Sequence, residues 1–259
     1  MEKTKFRTFD FLPTFQNKEE YFTKITGLED SGKRIFYLYL LLNLFSFVYG
    51  MIMGSYHSLI QAVVSGIKVP VLFTVVLIIC FPAFFIIQFI LGSKLKLSQM
   101  VSIVLSGFVL TTSIMVSFTP IVVFFLLTGG NYYFLQLLHI GVFIFSGVFG
   151  MIIIIDALRF SCEKKNIYPQ TGVVVFRFWV VILAFVGIQM AWNLRPFLGD
   201  RGKPFELFRK YEGNFYTALI YSVKQLIDPD EKNDKNRDKG IKGESKSDTT
   251  LQFLNLYKK

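Results

Sequence analysis

Residues 67–128 read IKVPVLFTVVLIICFPAFFIIQFILGSKLKLSQMVSIVLSGFVLTTSIMVSFTPIVVFFLLT, and the fold follows from how this stretch divides. Residues 70–91 and 100–128 contain no Asp, Glu, Lys or Arg, and only the polar linker of residues 92–99 separates them. A helical bilayer crossing takes about 20 apolar residues, whereas a buried strand takes roughly 4–8. The stretch therefore predicts a transmembrane hairpin. At 1.5 Å per residue the second run makes about 43 Å of helix, more than one hydrocarbon thickness, so it must tilt or break. Hydroxyls and proline loosen the backbone ladder, and Thr111-Thr112-Ser113 and Ser117-Phe118-Thr119-Pro120 mark the place.

Working outward, the same test finds three more spans. Together they fall at about residues 35–56, 70–91, 100–128, 132–157 and 173–192 of the 259-residue chain. The fold class is all-α, a polytopic transmembrane bundle of five spans with short interfacial amphipathic helices. A hydrophobic content of 53% agrees with this class. The 30 phenylalanines against 2 tryptophans suit lipid-facing and packing bulk, since Phe partitions well into the bilayer centre. The net charge of +10 gathers at the two ends with charge-free blocks between, which favours anionic lipid as a partner and argues against nucleic acid. Cys80 sits in an apolar run and Cys162 in a basic loop, so neither a disulfide framework nor a cysteine metal site is expected.

Residues 1–34 form a polar N-terminal segment that lacks the pattern of a signal peptide. Within it Asn17 and Glu20 have the spacing of a capping box, and Tyr21, Phe22 and Ile25 share one side of a short interfacial helix. Gly50 and Gly54 allow close helix approach near the end of the first span, read here as packing inside the molecule. Residues 55–66 are mixed and read as an interfacial turn or helix, so that Pro70 falls in the first turn of the second span. Pro82 predicts a kink farther along. Past the fifth span, residues 194–227 form an aromatic and basic juxtamembrane segment whose last part, residues 217–227, reads as an amphipathic surface helix. Residues 228–259 are too polar to build a core and read as a disordered tail. With the N-terminus in the cytoplasm, Lys33, Arg34, Lys94, Lys96, Arg159, Lys164, Lys165 and Arg177 all lie at cytoplasmic ends, which the positive-inside rule favours. Lys68 and the cluster Arg195, Arg201, Lys203, Arg209 and Lys210 stand against it.

Asn17-Lys18-Glu19-Glu20-Tyr21-Phe22, Leu91-Gly92-Ser93-Lys94 with Leu97-Ser98-Gln99, and Pro120 resemble the Yip1-like family of five-span membrane proteins. Residues 187–197, with Pro204-Phe205-Glu206-Leu207-Phe208-Arg209 and Gly213-Asn214-Phe215-Tyr216, look like a set of uncharacterised bacterial integral membrane proteins. The first resemblance implies a cytoplasmic N-terminus and a role in organising membrane or partner proteins, with no catalytic residues. The long basic tail and the Arg195-Pro196-Phe197 segment depart from that family's pattern.

No zinc-protease, nucleophile-elbow or phosphate-loop motif is present, and no enzyme activity, cofactor or metal is expected. Two sets of residues remain. Trp192, Arg195, Phe197, Arg201, Phe205, Phe208 and Arg209 form a juxtamembrane belt, either at headgroup depth or folded as a docking cap for a partner. His139, Asp156, Arg159, Arg177 and Gln189 are the costly polar residues in or beside the spans. Asp156 and Arg159, three apart, can pair at an interface, and His139, alone at mid-span, suits a hydrogen bond to a neighbouring helix. The sequence thus supports a membrane scaffold in a bacterial inner membrane that organises a membrane-protein partner or local lipid, with a membrane-protein partner or a homo-oligomer expected. A small transporter or channel subunit is the alternative, drawn from Pro82, Pro120, residues 111–113 and His139.

Overall fold

The computed structural model describes residues 18–27, 30–129, 131–163, 170–199, 201, 205–208 and 215–227. The described residues are helical with connecting turns, and five helices are long and apolar enough to cross a membrane. The elements are α1 (Lys18–Ile25), α2 (Ser31–Gly54), α3 (Leu59–Ile90), α4 (Leu97–Ser117), α5 (Thr119–Leu127), α6 (Tyr132–Glu163), α7 (Gln170–Leu194) and α8 (Phe215–Ile227). The chain forms two compact units, Met1–Phe215 and Tyr216–Lys259. In the second, α8 exposes Tyr216, Ile220, Tyr221, Val223, Leu226 and Ile227. The tail beyond residue 227 lies outside the described residues.

In the first unit α4 is central and packs against α1, α2 and α6, while α3 joins α2 to α7. Small side chains make this possible. Ser102, Ser106, Gly107, Thr111 and Thr112 of α4 are all buried, and each hydroxyl donates to a carbonyl three or four residues back. At the crossing with α6, a Cβ on Gly107 would lie 2.7 Å from the Gly150 carbonyl oxygen and collide with Ile154. The α2–α3 crossing uses the same device. A Cβ on Gly50 would sit 2.5 Å from the Ser65 carbonyl oxygen, and one on Gly54 would strike the Gln61 carbonyl. The Gly50/Gly54 pair is thus used within the molecule, where backbone-to-backbone approach gains dispersion contacts that lipid cannot supply.

The long third run breaks at Phe118, between Ser117 and Thr119-Pro120, at the second of the two places marked from the sequence. Among the boundaries that differ from the sequence reading, three bear on the packing. The second span begins at Leu59 and places Pro70 eleven residues inside the helix. Ser58 starts it, its hydroxyl accepting from the Gln61 amide at 3.2 Å, and the polar residues of the next turns are satisfied by protein, so they need no solvent. The next helix starts at Leu97, where the Gln99 side chain accepts from the Lys96 amide at 2.8 Å. Finally, α6 runs on to Glu163, well past residue 157.

The first helix, too, is used differently from the expectation. Tyr21, Phe22 and Ile25 are buried in the main apolar cluster of the bundle, so α1 docks on protein with the face assigned to the membrane interface. Arg34, itself buried, fixes the end of α1 by donating to the carbonyls of Lys24 (2.9 Å) and Gly27 (2.7 Å) and to Ser102 Oγ (3.2 Å). Gln99 adds a bond to the Thr26 carbonyl. Burial raises the Tyr21 phenol above its ordinary range, against a smaller opposing effect from its hydrogen bond with Ser106, so it stays neutral at the core.

Candidate functional site

The opposite end of the bundle holds an arrangement built on the first three turns of α3. Gln61, Ser65 and Lys68 fall at i, i+4 and i+7, one stripe of a helix, while Ala62, Gly66 and Val69 turn toward other packing surfaces. All three polar residues are buried, Lys68 to 6% exposure. What covers them is the chain leaving α7. The Gln61 amide donates to the carbonyls of Pro196 (3.1 Å) and Phe197 (3.3 Å), and Ser65 Oγ donates to Phe197. Lys68 Nζ donates to the Pro196 carbonyl at 3.2 Å and to the Leu207 carbonyl, and lies 4.8 Å from the centre of the Phe208 ring.

Apolar contacts complete the cap. Leu198 is buried in a cluster with Tyr49, Met53, Tyr56 and Val69. Gly199 is pressed against His57, where a Cβ would come within 2.7 Å of the His57 Cβ and Cγ. Arg201 donates through Nε to the Tyr56 carbonyl at 2.7 Å, and its guanidinium stacks 4.3 Å from the Tyr56 ring. No carboxylate among the described residues pairs with Lys68. Its ammonium is held by carbonyl dipoles and a ring face, an arrangement that fixes backbone but leaves the positive charge uncancelled.

The belt residues named from sequence thus divide. Trp192 and Arg195 stack on each other, the guanidinium 3.4 Å from the indole, and both are half-buried. Phe197 packs inward and lends its carbonyl to α3. Phe205, Leu207 and Phe208 present their side chains outward at 41%, 50% and 60% exposure. Arg209 lies outside the described residues. Gln61, Ser65 and Lys68 are not among the site residues named from sequence, because residues 55–66 read as an interfacial turn or helix and Lys68 as the flank of the second span. The signal was present in the i, i+4, i+7 spacing of three polar residues running into an apolar helix.

Set against family models, curated proteins and solved structures, the chain matches none. Its activity must therefore be read from the residues themselves.

The second set named from sequence is not brought together. His139 is buried on α6, and its Nδ1 shares a 2.8 Å hydrogen bond with Tyr49 Oη of α2, the rings meeting edge to face. Its Nε2 has no partner among the described residues. Asp156 lies 17 residues along the same helix, about 25 Å away at 1.5 Å per residue. Half-buried Asp156 and exposed Arg159 line a shallow pocket with Glu19, Phe22, Phe160 and Glu163, at the α1 end. Arg177 is exposed on α7 and Gln189 is half-buried farther along it. Among the described residues no group of three His, Cys, Asp or Glu could hold a metal ion.

Proposed function

We propose that the chain is a non-enzymatic integral membrane protein, Yip1-like in organisation, that holds a membrane-protein partner through the cap to which residues 195–199, 201 and 205–208 belong. In this reading it resides in a bacterial inner membrane with its N-terminus in the cytoplasm, and its cap lies on the opposite side. The observation that carries the reading is the Lys68 clasp. Backbone at Pro196 and Leu207 is fixed by a buried cation, while Phe205, Leu207 and Phe208 stay outside. A rigid backbone that displays apolar side chains beside uncancelled positive charge suits recognition, because the ordering entropy of the contact residues is lost before the partner arrives. A headgroup belt needs no such fixing, since aromatic side chains reach that depth from a mobile chain. Anionic lipid around Arg195 and Arg201 is compatible with the same surface.

The test is affinity capture from membranes in mild detergent, comparing the wild-type chain with a variant carrying Phe205→Ser, Leu207→Ser and Phe208→Ser. A stoichiometric membrane protein should accompany the wild type and be lost from the variant, which keeps the same Tm. Purification of the wild type with nothing enriched, in several detergents, refutes the reading.

A second reading, a small transporter or channel subunit, draws on the helix break at Phe118 and the unpartnered His139 Nε2. Reconstitution into liposomes decides it: flux of an ion or solute that falls on His139→Ala supports transport, and no flux removes it.

A further inference from the structure

The groove between α2 and α3 carries a different implication. The two helices touch closely at Gly50 and Gly54 and then separate, leaving a groove of about 510 Å³ lined by Tyr39, Leu40, Asn43, Phe47, Pro70 and Thr74, among others. Its walls are apolar apart from three polar side chains. Tyr39 Oη and Thr74 Oγ1 share a 3.2 Å hydrogen bond across it, and Asn43 Nδ2 donates to the Tyr39 carbonyl at 2.6 Å. Asn43 is half-buried, and its Oδ1 meets no donor among the described residues.

Depth decides what can answer that amide. Asn43 lies 12 residues from Ser31 and 11 from Gly54, about 18 Å and 17 Å along the axis at 1.5 Å per residue, so it sits at the middle of α2. A phospholipid offers no hydrogen-bonding group at the centre of a hydrocarbon layer of about 30 Å. Only another span can. A carboxamide is both donor and acceptor, so it complements its own copy at the same depth. The surrounding residues have the matching repeat: Phe36, Leu40, Asn43 and Phe47 are spaced 4, 3 and 4, the d-a-d-a seam of a helix pair, with Asn43 at a d position on that seam. Phe36, Leu40 and neighbouring Leu44 are 63%, 49% and 53% exposed.

We propose that this face of α2 is a self-association surface, on which a second copy of the chain seats about a two-fold axis along the membrane normal, with the two Asn43 amides hydrogen-bonded to each other. The inference is independent of the cap, which stands at the end of the bundle and uses other residues.

The experiment is oxidative cross-linking of the full chain in its native membrane, in a Cys162→Ser background that leaves the buried Cys80 in place. Leu40→Cys should give a species of twice the chain mass. Ile182→Cys, exposed at mid-depth on α7, should not. Adding Asn43→Leu to Leu40→Cys should cut the yield roughly tenfold at limiting protein density, the worth of a good interhelical amide bond, while Asn43→Gln keeps most of it. Replacing a groove amide with an apolar side chain leaves the monomer folded, read as an unchanged Tm. Three results overturn the proposal: no doubled species from Leu40→Cys, equal yield from Ile182→Cys, or a cross-linked product whose mass belongs to another protein. Yield indifferent to Asn43→Leu overturns the pairing of the amides.

Discussion

Replacing Lys68 with Met keeps the aliphatic stem and removes the ammonium, and so isolates the clasp. The Pro196 carbonyl keeps a donor in Gln61, but the Leu207 carbonyl loses its buried partner and the Phe208 ring loses the cation above it. A hydrogen bond to a charged donor contributes about 1.5–3 kcal/mol net, and a partly desolvated cation–π contact about 0.5–2 kcal/mol. The outer part of the cap, residues 205–208, should therefore lose about 3 kcal/mol of docking free energy, which corresponds to a roughly 100-fold larger population of the open form. The inner half, at residues 196–198, should stay, because Gln61 and Ser65 still hold it. Limited trypsin digestion of the intact protein in detergent reads this directly. Arg201, Lys203, Arg209 and Lys210 are the cleavage sites. Where opening and closing are fast relative to cleavage, the rate follows the open population, so Lys68→Met should be cut up to about 100-fold faster with little change in bundle Tm. Gln61→Leu, by contrast, should loosen residues 196–198. Equal cleavage rates for wild type and Lys68→Met would refute the clasp. So would faster cleavage accompanied by melting of the whole bundle, which would make Lys68 a general stability element.

Gly54→Leu forces the α2–α3 crossing apart, because a Cβ there meets the Gln61 carbonyl, and overpacking of this kind costs about 1–3 kcal/mol; a Tm equal to wild type in a detergent melt would show that the helices are not held at that distance. Tyr49→Phe removes the hydroxyl bonded to His139 and should cost about 1–3 kcal/mol by stranding a buried nitrogen, whereas Tyr49→Phe with His139→Leu should recover part of that loss, so a double-mutant cycle with zero coupling would dismiss the pair. For orientation, a membrane-impermeant thiol reagent on intact cells should miss Cys162 and label a Ser245→Cys variant if five spans begin in the cytoplasm, with buried Cys80 silent throughout. Labelling of Cys162 with protection at position 245 inverts the topology, and protection of both with labelling after lysis requires an even number of crossings.

The five long helices were legible because hydrocarbon selects residues one at a time: an uninterrupted run of apolar side chains is costly in water whatever its neighbours are. The break near Pro120 was legible from length and composition together: 29 residues without a charge call for a tilt or a break, and Ser117, Thr119 and Pro120 mark where the ladder is weakest. The close approach at Gly50 and Gly54 was legible as well, because two glycines four apart share a helix face, with packing inside the molecule the preferred reading over dimerisation there. The start of α3 was not. Gln61, Ser65 and Lys68 read as polar residues at the edge of a span, and nothing local says that their partners are carbonyls of residues 196, 197 and 207. Those bonds join positions 128 to 139 residues apart along the chain. For the same reason Tyr21, Phe22 and Ile25 were assigned to a lipid interface: an amphipathic helix has the same sequence whether its apolar face meets a bilayer or a bundle. The sequence by itself determined which segments leave water, because transfer free energy belongs to each side chain. Only the tertiary structure decided which buried polar groups meet, because a hydrogen bond depends on two positions being brought within about 3 Å, and periodicity records a face without naming what it faces.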